Sequence, residues 1–206
     1  NVSKHTLLLK TLKVAQRVEL IGNNMNVHEV EYYRPHGAEG LYVQINDSTF
    51  TAEKYSKVVL SICANTGRFE SQVKVFNVPG VICVLYLTDI QLEKKELREI
   101  KRVEYVNEVM ITANNKEQEV ILKNISLGGI CFQTDTPLVT KNGFIHLITL
   151  KNEKLDLEFE VVRERYSQER ITFTYHCQFK PYARSSEMIL EREIVGLQLQ
   201  QIRRNK

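Results

Sequence analysis

Two arginines near the middle of the chain have the spacing and the chemistry needed to bind phosphate groups. Arg98 and Arg102 lie four residues apart in the segment Arg98-Glu99-Ile100-Lys101-Arg102. A guanidinium group can donate two parallel hydrogen bonds to a phosphate, and it matches the O6/N7 edge of guanine equally well. Its plane can also stack on a base. Two such groups on one short segment therefore suit a compact anion that carries purine bases.

A second polar motif follows in the segment Asn124-Ile125-Ser126-Leu127-Gly128-Gly129. Asn124 and Ser126 are two residues apart, so on an extended segment both side chains point to the same face. An amide and a hydroxyl together suit the polar edge of a guanine, because they supply donors and acceptors. Two glycines allow a backbone to approach a ligand or to turn sharply. The predicted ligand site therefore consists of Arg98, Arg102, Asn124, Ser126, Gly128 and Gly129.

Each motif also has an ordinary structural interpretation. The two arginines have Glu99 and Lys101 as neighbours, which is typical of a solvated charge run. The segment 124–129 has the composition of a plain turn. The nucleotide site fails only if both ordinary interpretations hold. The order of the motifs, and their separation by one predicted hairpin, make the pair more specific than either motif alone.

The residues around the second motif predict antiparallel β-structure. Short apolar runs are separated by turn residues such as Ala113-Asn114-Asn115-Lys116. Apolar residues alternate strictly from Leu155 to Val161 and again from Ile171 to Phe179, which predicts a long hairpin with one buried face. His176 belongs to the second run and could face either the core or the surface.

The C-terminal segment changes to a helical period. Ser185 or Ser186 can cap a helix, and Glu187 suits its first turn. The apolar stripe predicts a helix that closes one end of a barrel, with a partner-binding or dimerising helix as the alternative. That stripe consists of Leu190, Ile194, Leu197 and Ile202.

The first half of the chain also favours β-structure. Several short β-rich runs between Val27 and Leu87 are separated by turn residues at the spacing typical of a sandwich or barrel. The segment 91–102 has dense charge and neither glycine nor proline, which makes it the best domain boundary. The first twenty residues mix helix and strand signals.

The composition narrows the possible functions. The chain has 206 residues and a net charge of +3, which is too balanced for a duplex-DNA-binding domain. No apolar run is long enough to cross a membrane, and Lys10 interrupts the Leu7-Leu8-Leu9 triplet, so we expect no membrane insertion and a cytoplasmic location. The cysteines have no metal-ligand spacing and lie in apolar runs, which predicts buried, reduced thiols and no metal site. They are Cys63, Cys83, Cys131 and Cys177.

The two motifs together resemble the signature of PilZ domains, which are six-stranded barrels that bind cyclic di-GMP. The resemblance covers Arg98 to the C-terminus, and the first half is similar in size and strand pattern to the N-terminal barrel of flagellar-brake-type PilZ proteins. It implies a mainly β protein with two small antiparallel β-barrels and a C-terminal α-helix. The implied domains are a first barrel over 1–90, a linker over 91–102 and a PilZ domain over 98–206.

The resemblance implies a receptor and not an enzyme, with cyclic di-GMP as ligand and no cofactor. One alternative is a degenerate PilZ scaffold that uses its barrel for protein contacts alone. Leu97 stands where many family members have a further basic residue, which bears on whether one ligand molecule or a stacked pair is bound. An enzyme is the remaining alternative, but no nucleophile elbow, phosphate loop or HExxH motif supports it.

The resemblance also implies an output through a protein partner. The flagellar brakes suggest a component of the flagellar motor or its stator, and hence association with the flagellar basal body. Cyclic di-GMP binding would regulate motility by changing the affinity for that partner.

Overall fold

The computed structural model describes residues 4–22, 26–45, 50, 58–77, 82–94 and 102–205, with the backbone alone for residues 77 and 82–94. The chain divides into two compact units. The first comprises Asn1–Lys95 with Ala183–Ser185, and the second comprises Glu96–Tyr182 with Ser186–Lys206.

The first unit contains a helix and a closed antiparallel barrel. Its elements are α1 (Lys4–Lys13), β1 (Arg17–Gly22), β2 (Val27–His36), β3 (Gly40–Ile45), β4 (Val58–Ala64), β5 (Gly67–Asn77) and β6 (Ile82–Lys94). The strands close in the order β1-β2-β3-β6-β5-β4. Leu8 of α1 packs with Leu20, Leu41 and Leu60 in the barrel core, and all four are fully buried. Strand β6 runs to Lys94, so the first four residues of the segment predicted as a linker are in a strand.

The second unit is a closed antiparallel barrel followed by a helix. Its elements are β7 (Val103–Ala113), β8 (Lys116–Ser126), β9 (Gly129–Thr134), β10 (Asn142–Ile148), β11 (Lys154–Ser167), β12 (Thr172–Phe179) and α2 (Arg184–Arg204). The strands close in the order β10-β11-β12-β9-β8-β7. Phe132, Phe159 and Tyr175 fill the core of this barrel. The predicted fold of two antiparallel barrels with a C-terminal helix is therefore confirmed.

The two barrels share one strand order, because adding six to each strand number of the first barrel reproduces the second. The hairpin of β2 and β3 corresponds to the hairpin of β8 and β9. The second strand of each begins at a glycine: Gly40 lies opposite His36, and Gly129 lies opposite Ser126. The first strand of each hairpin also has a β-bulge near its end. The bulge directly precedes Arg34 in β2 and Asn124 in β8. The same architecture is thus built twice from different side chains.

The hairpins of the second barrel follow from local sequence. Asn114 and Asn115 both have positive φ (51° and 58°), which matches the two-residue type I′ turn that joins β7 to β8. The predicted long hairpin of β11 and β12 is confirmed. Ile171, however, is 66% exposed with a φ of 49°, so it lies in the turn and not on the buried face as the alternation predicted.

Helix α2 packs on the second barrel through Leu190, Ile194 and Leu197. Glu193 accepts a hydrogen bond from the backbone N–H of Leu150 at 2.9 Å, which attaches the helix to the turn after β10. Ile202 does not continue the predicted stripe, because it is 56% exposed. Five residues after Leu197, a helix has turned about 140° away from the buried face.

Three of the predicted buried thiols are confirmed, since Cys63, Cys131 and Cys177 are buried and form no disulfide; the Cys83 side chain lies outside the described residues. Neither described helix is long and apolar enough to cross a membrane. Among the described side chains, no group of three or more His, Cys, Asp and Glu could hold a metal ion.

Candidate functional site

A β-bulge decides where the second polar motif points. Strand β8 buries Val120 and Leu122, and its register shifts at the next residue before Asn124 pairs with Cys131 of β9. Beyond the shift, Ile125 occupies the core. A bulge inserts one residue and so exchanges the two faces of a strand. Asn124 and Ser126 therefore lie together on the outer face of the second barrel.

The hydroxyl group of Ser126 organises the turn that follows it. Its Oγ accepts a hydrogen bond from the backbone N–H of Gly128 and donates one to the carbonyl of Gly129, both at 3.3 Å. The side chain is buried, with 8% of its surface exposed. A hydroxyl has two acceptor lone pairs, so this arrangement leaves one acceptor position for a ligand donor.

Gly129 lies against strand β12. A Cβ atom at this position would be 2.1 Å from the carbonyl oxygen of Cys177, so no larger residue fits without a backbone shift. The neighbouring Gly128 accepts a hydrogen bond from the backbone N–H of Phe179 at 2.9 Å. Tyr182 donates its hydroxyl to the carbonyl of Leu127 at 2.6 Å. These contacts fix the turn, and they give the glycine a packing role that does not depend on a ligand.

Arg102 lies beside this hairpin. It immediately precedes Val103, which pairs with Ile125, so Arg102 is level with Ser126 at the end of the β7–β8 ladder. Its side chain is exposed. Burial raises the pKa of the Cys131 thiol, and the positive charge of Arg102 partly offsets this rise. The arginine charge therefore reaches the outer face on which Asn124 lies. Arg98, the other arginine of the predicted site, lies outside the described residues.

Other polar residues share this outer face and were not identified from sequence. Cys131 pairs with His176 of β12, and His176 pairs with Arg163 of β11. A second bulge, between Val161 and Arg163, turns the arginine to the same face as the histidine. The sequence left His176 open to either the core or the surface, and no sequence signal marked the bulge that redirects Arg163.

Positive charge concentrates around His176. Burial is the main cause that lowers the pKa of this imidazole below its ordinary value. Three guanidinium charges act in the same direction, and they belong to Arg165, Arg102 and Arg163. Guanidinium donors beside an amide, a hydroxyl and a histidine can bind an anion that has polar base edges.

The fold and the site define a class of protein: a small antiparallel barrel that presents a polar hairpin and flanking arginines on its outer face. Residues 96–196 match the family model of the PilZ domain. The chain therefore belongs to the PilZ domain family over the length of its second barrel.

Several solved structures are similar to this chain over most of its length, at low sequence identity. MrkH of K. pneumonia in complex with c-di-GMP has 14% identity and a TM-score of 0.44, covering 99% of this chain and 98% of that one. The Bacillus subtilis inhibitor of motility, MotI/DgrA, has 16% identity and a TM-score of 0.44, covering 91% and 97%. YcgR of Escherichia coli in complex with c-di-GMP has 11% identity and a TM-score of 0.44, covering 99% and 94%. No curated protein sequence matched this chain.

Proposed function

We propose that this chain is a cyclic di-GMP receptor that acts by binding and not by catalysis. The observation that carries the proposal is the common outer face of Asn124 and Ser126, with the charge of Arg102 beside it, in a barrel of the PilZ family. Arg98 completes the arginine pair that would bind the ligand. Gly128 and Gly129 keep the turn compact beneath the ligand.

The chemistry of the ligand matches these groups. Cyclic di-GMP has two phosphates and two guanines, so guanidinium groups can bond its phosphates and its O6/N7 edges. The Asn124 amide supplies a donor and an acceptor to a guanine edge, and the free lone pair of Ser126 supplies a further acceptor. The ligand itself is the signal, so the proposed receptor needs no cofactor.

Calorimetric titration with cyclic di-GMP tests this proposal and gives affinity and stoichiometry together. Charge-assisted hydrogen bonds contribute roughly 1.5–3 kcal/mol each, so we expect Arg98→Ala and Arg102→Ala each to weaken binding about tenfold or more. Arg170→Ala is the matched control. It removes an exposed arginine in the β11–β12 turn, at least about 13 Å along the strands from the His176–Arg163 pair.

Wild-type affinity in both arginine variants would show that the site is wrongly assigned. Failure of the wild-type protein to bind would favour a second candidate, a PilZ scaffold that has kept the barrel for protein contacts alone. A specific observation supports this alternative: Ser126 and Gly129 have contacts within the barrel that explain their presence without a ligand.

We propose in addition that ligand binding changes the affinity for a protein partner. In the sequence, the arginine motif lies between the last strand of the first barrel and the first strand of the second. The flagellar-brake resemblance makes a motor or stator component the first candidate. We propose that the receptor acts in the cytoplasm, at the flagellar basal body when the partner is engaged.

A further inference from the structure

A row of polar residues runs across four strands of the second barrel, starting at the candidate site. Asn124 of β8 pairs with Cys131 of β9, which pairs with His176 of β12, which pairs with Arg163 of β11. Neighbouring strands are about 4.8 Å apart, so the path around the barrel surface from Asn124 is about 10 Å to His176 and about 14 Å to Arg163.

All members of this row are directed away from the core. Tyr175 and Cys177, on either side of His176, are buried in the core cluster. The bulge after Val161 places both Arg163 and Arg165 on the outer face, because Arg163 pairs with His176 and Arg165 pairs with Thr174. Without that extra residue, both arginines would continue the inward-facing series of β11.

We propose that the ligand site continues along this row, so that His176 and Arg163 contact the bound dinucleotide and His176 takes up a proton when it binds. This inference rests on the proposed function, since cyclic di-GMP is the dianion that supplies the change in charge. A ligand with two phosphates and two bases can extend over more of the face than Asn124 and Ser126 occupy.

The charges that face His176 explain why a proton would be taken up. Arg102, Arg163 and Arg165 surround it with positive charge, and Cys131 faces it from β9 as a neutral thiol. Lys123 of β8 adds a further positive charge beside Cys131. In the ligand-free protein, burial and the three guanidinium charges hold the imidazole pKa below its ordinary value, so the ring is neutral at pH 7.

A bound dianion reverses this balance. Its phosphates attract the imidazolium form and compensate the arginine charges, so the pKa of His176 in the complex is higher than in the free protein. At pH values between the pKa of the free protein and that of the complex, binding takes up a proton. The affinity for the ligand therefore rises as the pH falls through that interval. The arginines remain protonated throughout, so they contribute affinity without this pH dependence.

The test is calorimetric titration of the full chain with cyclic di-GMP at pH 6, 7 and 8, in two buffers that differ in ionisation enthalpy. We expect proton uptake in the wild-type protein and an affinity about two- to fourfold higher at pH 6 than at pH 8, because one charge–charge contact near a solvated surface raises the imidazole pKa only modestly. His176→Gln keeps a polar side chain and should abolish both effects. His146→Gln is the matched control, since His146 is a partly exposed histidine of β10 bonded to Thr112 and Asp156.

A second variant keeps the inference testable if His176→Gln does not fold, as judged by circular dichroism. Arg163 is exposed, and Arg163→Ala should weaken binding at least fivefold at every pH while Arg170→Ala does not. Tight wild-type binding with no proton uptake, or with equal uptake in His176→Gln, would overturn the inference and leave the receptor assignment intact. Absence of wild-type binding would overturn both.

Discussion

Gly129, the last residue of the motif, has no room for a side chain. Its missing Cβ leaves the space into which the carbonyl oxygen of Cys177 projects, 2.1 Å from where that atom would lie. The same turn also holds the hydrogen bond from Phe179 to Gly128. A methyl group here must therefore displace the backbone of β12, and with it the edge of the candidate site.

We expect Gly129→Ala to lower the free energy of unfolding by about 1–3 kcal/mol, because it overpacks a backbone contact that cannot move cheaply. The measurement is chemical denaturation followed by circular dichroism. Gly196→Ala is the control, since a Cβ there would meet only the terminal Cδ1 of Leu150, at 3.0 Å. Alanine favours a helix by up to about 1 kcal/mol, so this variant should be neutral or stabilised. Equal losses in the two variants would contradict the steric explanation.

At the residue scale, sequence reasoning could predict which side chains share a face but not which face. The spacing of Asn124 and Ser126 places them together on any extended segment. Whether they point inward or outward depends on the bulge at Lys123, and a bulge has no dependable sequence signature. The same limit applies to Arg163, whose orientation depends on the extra residue beside it. The face on which His176 lies became clear only from the pairing of β12 with β9 and β11.

At the element scale, the β7–β8 hairpin positions the second motif relative to the first. Its two turn residues, Asn114 and Asn115, both adopt left-handed backbone conformations. The turn was evident in the sequence because asparagine tolerates positive φ better than most residues. The exposure of Ile202 could have been inferred from the sequence, because a residue five positions after Leu197 departs from the three- and four-residue spacing of a buried helix face.

Two substitutions at Asn115 should act in opposite directions. Glycine is favoured at the second position of a type I′ turn, so Asn115→Gly should raise the free energy of unfolding by a few tenths to about 1 kcal/mol. A β-branched side chain is strained at a φ of 58°, so Asn115→Val should lower it by about 1–2 kcal/mol. Thermal and chemical denaturation of the three proteins provide the measurement. If both variants shift stability in the same direction, the turn has a different conformation in solution.

At the scale of the whole molecule, the proposed receptor must convert ligand binding into a change at a partner. A ligand shifts such an equilibrium only by its difference in affinity for two states, typically 1–3 kcal/mol. That range corresponds to roughly 5- to 150-fold in partner affinity. A change of this size is large enough to alter the fraction of a partner that is bound.

In a flagellated host with raised cyclic di-GMP, we expect swimming speed to be lower with the intact gene than with Arg102→Ala. Tracking of single cells gives the measurement, and the Arg170→Ala gene should slow cells as the intact gene does. Equal slowing by the intact gene and by Arg102→Ala, at equal protein levels, would exclude the motor as the output. The receptor assignment would then depend on the titrations alone.

Because the two barrels share a strand order, the first barrel has positions that correspond to the candidate site of the second. Where the second barrel has Asn124, Ser126 and Cys131, the corresponding places of the first barrel have Arg34, His36 and Tyr42. There the Arg34 guanidinium lies 4.6 Å from the centre of the Tyr42 ring, and no amide or hydroxyl takes the two places on the first strand. One molecule therefore contains the same scaffold in two chemical versions, and exchanging these side chains between the barrels would separate what the backbone contributes to recognition from what the side chains contribute.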